Sequence, residues 1–324
     1  MRQDTIFDLA SLTKPLATSV AVMTLVNEGR IRLDEPVARV LPAFGGGEKE
    51  QITCRHLLSH CSGLAAWRPY YREVLAEGEK EGADFSGSPR AREIVYRCLD
   101  REELAHPPGE KAVYSDLGFI LVGRLVELAS GRALDEYCEE RVFRPLGLAD
   151  TAFVPLGGGR RRPCPQRFAP TEVCPWRKKL LCGEVHDDTA WIVGGVAGHA
   201  GLFATAGDVD RLVAELTACY RGAPGFLPAA VVREFWTRSG AVSGSTWALG
   251  WDTPSRTASS AGRHFSASSV GHLGFTGTSV WVDLEREVSV VLLTNRVHPR
   301  RNDERIKAFR PVLHDLVMET LLAA

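Results

Sequence analysis

Residues 7–29, "FDLASLTKPLATSVAVMTLVNEG", constrain the fold more than any other stretch of the chain. Val20, Val22, Leu25 and Val26, with Ala17 and Ala21, make this segment apolar nearly all round. A helix of that kind is stable only when other elements surround it, so the rest of the chain must be wrapped about it. Pro15 is tolerated because it falls in the first turn. Gly29, after Asn27 and Glu28, reads as the stop. Ser11 and Lys14 stand at the mouth of the helix, three residues apart and therefore on one face, within reach of a hydrogen bond. Two readings are open there. Ser11 is a cap for an orphan backbone N–H with Lys14 a solvated neighbour, or it is a nucleophile beside its base. A lysine near a helix N-terminus opposes the macrodipole, which weakens the first reading. Burial lowers a lysine's pKa, and the second reading expects a neutral Lys14 amine able to accept the serine proton.

The 324 residues, 44% hydrophobic and 24% charged, are enough for one large domain or two. A formal net charge of -1 gives no general attraction to nucleic acid or to acidic membranes. No run is long and apolar enough to span a bilayer, and "MRQDTIFD" lacks the apolar core of a secretory signal. As the chain stands, the expectation is cytoplasmic; an upstream signal segment would make it periplasmic or secreted. The eight cysteines are scattered, and most are expected to be reduced and buried. Cys164, Cys174 and Cys182 cluster in a loop-like stretch, but their spacing fits no standard zinc site and no metal is expected. The basic clusters at residues 160–162 and 177–179 read as solvated loop.

The chain has no internal repeat. A compact helix from about Cys54, stopped at Gly63, is predicted in "ITCRHLLSHCSGL". "SPRAREIVYRCL" and "SDLGFILVGRLVELASG" are helical by period, the second capped by Ser115 or Asp116 and stopped by Gly131. "ALDEYCEERVFRPLGL" is a helix ended by Pro145 and Gly147, and another follows a cap near residues 205–208. Residues 155–183 read as a long loop. "STWALGWDT", "GHLGFTGTSVWVDLE" and "EVSVVLLTNRV" are predicted to be adjacent antiparallel strands. In the closing helix Ile306, Phe309, Val312, Leu313, Leu316 and Val317 follow helical spacing. The sum is an α+β chain: residues 1–50 carry the nucleophile helix and the start of an α/β region, 51–239 are mainly helical, and 240–324 complete the α/β region with sheet and helix.

Two further places bear on Ser11. "PPGEKAVYSDLGF" sets Tyr114 after a rigid turn. Its phenol is either a proton relay beside Ser11 and Lys14 or a packed core tyrosine with a bonded hydroxyl. "VGHLGFTGTSVWV" puts His272 and Gly274 on a strand, and glycine inside a strand often marks close approach of a ligand to the backbone. His186 and His199 are expected to be structural residues at a loop junction.

S-x-x-K, then a tyrosine with an acid or amide two residues on, then a cationic residue and glycine on a strand, resembles the ordered motif set of the serine β-lactamase and penicillin-binding-protein superfamily. The chain is most similar to its class C-type branch, with family VIII carboxylesterases, DD-peptidases, D-aminopeptidases and nylon-oligomer hydrolases. "FDLASLTKP", "ITCRHLLSHCSGL", "PGEKAVYSDLGFILVGRLVE", "GVAGHAGLFATAGDV" and "GHLGFTGTSVWVD" match family blocks in order, so the resemblance covers nearly the whole chain. It implies a β-lactamase-like (DD-peptidase) α+β fold, an antiparallel sheet flanked by helices plus a mainly helical region. It implies an acyl-enzyme on Ser11, proton handling by Lys14 and Tyr114, and an oxyanion held by the amides of Ser11 and of Phe275, after Gly274. The partner implied is a small-molecule ester or amide or a peptide, and no cofactor is implied.

Three departures qualify that expectation. His272 and Leu273 stand where many members have lysine and threonine, so a fixed cation for a substrate carboxylate is not guaranteed. Asp116 stands where asparagine is usual, and as a carboxylate it would repel an anionic substrate. Only ten residues precede Ser11, whereas relatives usually enter through a helix and a pair of strands, so the expectation is a fragment or a start at a misassigned methionine. Weak β-lactam hydrolysis at most is expected, with esters or amides of small or neutral acyl groups preferred. The competing reading is a non-catalytic or single-turnover sensor of peptides or penicillins on the same fold. No G-x-S-x-G elbow occurs, which disfavours α/β-hydrolase chemistry.

Overall fold

The helix without a polar face lies at the centre of the molecule. A computed structural model describes residues 1–158 and 165–323. The helices are α1 (Val20–Asn27), α2 (Cys54–Leu58), α3 (Tyr70–Glu81), α4 (Pro89–Arg101), α5 (Asp116–Ser130), α6 (Leu134–Cys138), α7 (Asp188–Ile192), α8 (Ala206–Arg221), α9 (Ala229–Trp236) and α10 (Arg305–Leu322). The strands are β1 (Phe7–Asp8), β2 (Ala152–Phe153), β3 (Val173–Cys174), β4 (Lys179–Leu180), β5 (Leu202–Ala204), β6 (Val270–Leu273), β7 (Ser279–Asp283) and β8 (Val288–Leu292). Every residue of α1 from 20 to 25 is buried, against α5, α9 and the π-helical continuation of α6 at Glu139–Phe143. One apolar core runs from Ile6 to Leu284.

The segment read as a single helix from Ser11 has three parts: a 3-10 turn at Ala10–Leu12, a π-helix at Lys14–Ser19, and α1. Pro15 supplies the reason. It has no N–H to give the Ser11 carbonyl, the bond an α-helix needs there, and the wider winding carries the chain past the gap. Gly29 ends the helix as expected, its amide returning to the Val26 carbonyl at 3.0 Å. α5 is capped by Ser115, whose hydroxyl accepts the Gly118 amide at 3.0 Å, and Gly131 follows it.

The larger sheet is antiparallel in the order β6-β7-β8, with Val280 opposite both His272 and Val291. β7 is buried at every residue. Its alternation sends Val280 and Val282 into the main core and Trp281 into a second cluster with Ala261, Phe265, Val290 and Met318 of α10. A smaller sheet, β1-β5-β2, fastens the segment before Ser11: Phe7 pairs with Ala204 and Asp8 with Phe203.

Several expectations need correction. "STWALGWDT" makes only isolated bridges, Trp247 to Asp252 and Asp252 to Gly271. Gly250 breaks it: at φ +80, a Cβ there would stand 1.8 Å from the Ser19 hydroxyl, so the chain turns closely around the central helix. "GHLGFTGTSVWVDLE" is two strands joined by a turn at 274–278. The loop at 155–183 contains the short hairpin β3-β4, and Arg177 in it is not solvated. Its side chain is 1% exposed, ion-paired to Asp188 at 2.7 Å and held between Trp176 and Trp191. Residues 160–162 and Cys164 lie outside the described residues, while Cys174 is buried and Cys182 exposed. In α10 the buried residues are Ile306, Arg310, His314 and Met318, and the expected core residues Phe309, Val312 and Leu316 are exposed. Among the described residues no helix is long and apolar enough to cross a membrane.

Candidate active site

Ser11 follows a strained residue. Ala10 has φ 48, a left-handed conformation unfavourable for a side chain. The buried carboxylate of Asp8 holds it, accepting the Ala10 amide at 2.8 Å and the His186 amide at 2.7 Å. Burial pushes the Asp8 carboxyl above its ordinary value despite these bonds. In the 3-10 turn the first internal donors are the amides of Leu12 and Thr13, which leaves the Ser11 amide unspent.

Lys14 is 0% exposed. Its Nζ donates to Ser11 Oγ at 3.1 Å and to the His199 carbonyl at 3.1 Å, and pairs with Asp116 Oδ1 at 2.7 Å. Here the expectation of a neutral amine is overturned. Burial pulls the Lys14 pKa down, but the Asp116 carboxylate and the Tyr114 oxygen outweigh it and hold the pKa above that of an ordinary lysine. Asp116, expected to face and repel an anionic substrate, is engaged by this ammonium. Both partners stand at element starts: Lys14 opens the π-helix and Asp116 opens α5.

Tyr114 is half-buried just before the α5 cap, its ring 4.8 Å from Lys14 Nζ. Burial raises its phenol pKa, and the neighbouring Lys14 charge only partly offsets that. His60 was legible inside "ITCRHLLSHCSGL" but carried no assigned part; the structure gives it one. Its carbonyl takes the Val113 amide at 2.8 Å and its Nδ1 the Ser115 amide at 3.1 Å, bracketing Tyr114 from both sides. Burial and the Lys14 charge keep His60 well below its normal pKa, so it is neutral with its hydrogen on Nε2. Trp247 completes an aromatic wall, with ring centroids 5.6 Å from Tyr114, 4.4 Å from His60 and 5.7 Å from His272.

His272 lies on β6, opposite Val280. Its Nδ1 donates to the Leu273 carbonyl at 2.8 Å, leaving Nε2 as a buried acceptor without a partner among the described residues. Burial, then repulsion from Lys14 and Arg310, takes its pKa down to about 3. It offers no cation at neutral pH. Gly274 comes one residue after β6 rather than on it, and Phe275 sits in the turn, 48% exposed. That turn docks on the Ser11 segment: Thr276 Oγ1 donates to the Asp8 carbonyl at 2.7 Å and Thr278 Oγ1 to the Leu9 carbonyl at 3.1 Å. A Cβ on Gly274 would lie 2.0 Å from Thr278 Oγ1 and 2.5 Å from the Leu9 carbonyl, so only glycine allows this approach. The Phe275 amide makes no internal bond among the described residues. The turn that carries Phe275 is thereby held against the backbone of residues 8–9, just before Ser11.

His186 and His199 brace the site from behind. The His199 Nε2 meets Asp187 Oδ1 at 2.9 Å, and the His186 Nε2 meets Glu172 Oε2 at 3.1 Å. Asp187 is held well below the usual carboxylate range by His199 against the effect of burial. Thr276, Thr278, Asp8 and the His199 carbonyl had no signal in residue type; only the fold brings them to Ser11. Among the described residues no group of His, Cys, Asp and Glu has the makings of a metal site.

The family model described as Beta-lactamase matches residues 1–312 of the chain. An N-acetylmuramyl-L-alanine amidase of Bacillus subtilis (strain 168) is 35% identical over 323 residues, covering 92% of this chain and 69% of that protein. A provisionally named D-alanyl-D-alanine carboxypeptidase of Escherichia coli (strain K12) is 33% identical over 315 residues, covering 91% of this chain and 70% of that protein. Among solved structures, a penicillin binding protein from Bacillus halodurans superposes with a TM-score of 0.71 at 20% identity, over 97% of this chain and 86% of that one.

Proposed function

Because the chain belongs to the beta-lactamase family, we propose that it is a serine hydrolase cleaving esters or amides through an acyl-enzyme on Ser11. The observation that carries the proposal is a buried, acid-paired ammonium that donates to Ser11 Oγ, with the Tyr114 ring beside it. Lys14 donates to the serine oxygen, so the serine proton is directed to Tyr114. The acceptor is formed when the Lys14 and Tyr114 pair gives up one proton, the two groups titrating as one coupled system. Ser11 then attacks the carbonyl, its proton passes to Tyr114, and the amides of Ser11 and Phe275 hold the oxyanion. The same proton leaves with the alcohol or amine, and water activated by the same pair releases the acyl group.

The neutral His272, which offers no cation to a substrate carboxylate, supports substrates with small or neutral acyl groups over β-lactams. Relatives named amidase and carboxypeptidase bring amides within range. Intact-mass analysis with a fluorophosphonate, a p-nitrophenyl ester and a penicillin, while p-nitrophenol release is followed, tests the proposal. A single adduct on Ser11 with steady release from the ester is expected. Ser11→Ala should lose both and melt as the parent does; turnover surviving that change would sink the mechanism. A burst that stops after one equivalent would instead assign a single-turnover sensor.

A further inference from the structure

Arg310 on α10 is buried, 6% exposed, and makes no ion pair with any acid among the described residues. A charge in such a place is costly unless something uses it. Its Nη2 donates to two carbonyls, Gly274 O at 2.7 Å and Thr278 O at 2.8 Å. The Gly274 amide also donates to the Thr278 carbonyl at 2.8 Å, so one guanidinium closes both ends of the turn that carries Phe275. Nε has no partner among the described residues. Burial, with repulsion from Arg296, brings the Arg310 pKa down to about 10, which leaves it charged at neutral pH.

The Gly274 carbonyl and the Phe275 N–H belong to the same peptide group. A cationic donor on the oxygen of a peptide draws electron density out of its nitrogen, making the N–H a stronger donor. It also fixes the direction of that N–H before substrate arrives. We propose that Arg310 is a positioning residue for the reaction, acting through the peptide joining Gly274 to Phe275 to orient the oxyanion-binding amide and strengthen it as a donor. The inference rests on the acyl-enzyme reading of Ser11. It gives Arg310, the buried polar residue of α10 that meets the sheet turn, a task that packing does not: a methionine of similar length would fill the space without the cost of the charge.

The test compares the parent enzyme with Arg310→Met and Arg310→Lys on a p-nitrophenyl ester. It also records the infrared carbonyl stretch of a slowly deacylating cinnamoyl group on Ser11. Arg310→Met is expected to lower kcat about 10–100-fold with KM within about twofold, since the lost interaction is realised in the transition state. The acyl carbonyl band should rise in wavenumber, reporting a less polarised C=O, and Arg310→Lys should restore part of both effects. If Arg310→Met does not fold, Arg310→Lys carries the test alone, with a smaller kcat loss and band shift expected. An unchanged kcat, or a lowered kcat with an unmoved band, would make Arg310 a plain structural staple and overturn the inference. Failure of the parent enzyme to acylate at Ser11 would remove the underlying chemistry itself and is told apart by the parent alone.

Discussion

Asp116 sets how many protons the site holds at rest. Its carboxylate raises the pKa of both Lys14 and Tyr114, so whichever of the two is assigned as base, the reactive form is scarcer for its presence. The sign follows directly: removing the negative charge lowers both values and populates the deprotonated pair at lower pH. Asp116→Asn is therefore expected to move the acidic limb of the kcat/KM profile down by about 1–3 pH units; a limb that stays in place would show that Asp116 does not set it. The spacing of Ser11 and Lys14 was legible because both lie on one short segment. Their charge state was not, because the deciding carboxylate comes from another element far along the chain. Burial alone argued for a neutral lysine, and a single ion pair at 2.7 Å reverses that argument.

Elements with strong local signals were read nearly as they stand, above all α5 between Ser115 and Gly131. Illegible elements had weak or misleading periods. α3 buries only Tyr70, Val74 and Gly78, too thin a stripe to stand out from its charges. On α10 the apolar spacing points to one face, yet the fold buries the row through Arg310 and His314, whose polar groups have partners waiting on the sheet turn and at Ser260. The turn at 274–278 is the element on which the site most depends. Gly274→Ala forces a methyl into the Leu9 carbonyl and the Thr278 hydroxyl, which must drive the turn away from the Ser11 segment. A loss of about 100-fold or more in kcat is expected, the scale of one oxyanion donor removed, with a lower melting temperature. Steady-state kinetics on the folded variant check it, and parental kcat would mean that the turn takes no part.

Across the molecule, buried histidines tie stability to pH. His272, with its folded pKa at about 3, and His60, also well below normal, stay neutral where the unfolded chain would protonate them. The unfolded state binds the extra protons, so stability falls as pH drops below about 6.5, by up to about 1.4 kcal/mol per pH unit for each such group. Asp252, pushed up to about 6 by burial, works in the opposite direction, so the contribution of one histidine is read by comparison. His272→Gln should flatten the urea-derived stability curve between pH 6.5 and about 4 relative to the parent; parallel curves would count against a neutral buried His272. The central position of α1 has a further consequence, for the making of the protein. The segment leaves the ribosome before α5 and α9, which pack on it, and α9 follows only at Ala229–Trp236. At about 5–20 residues per second, its apolar surface waits on the order of ten to forty seconds for that partner. Until α9 is made, a growing chain therefore exposes apolar surface that the finished fold hides, the condition in which chains associate wrongly.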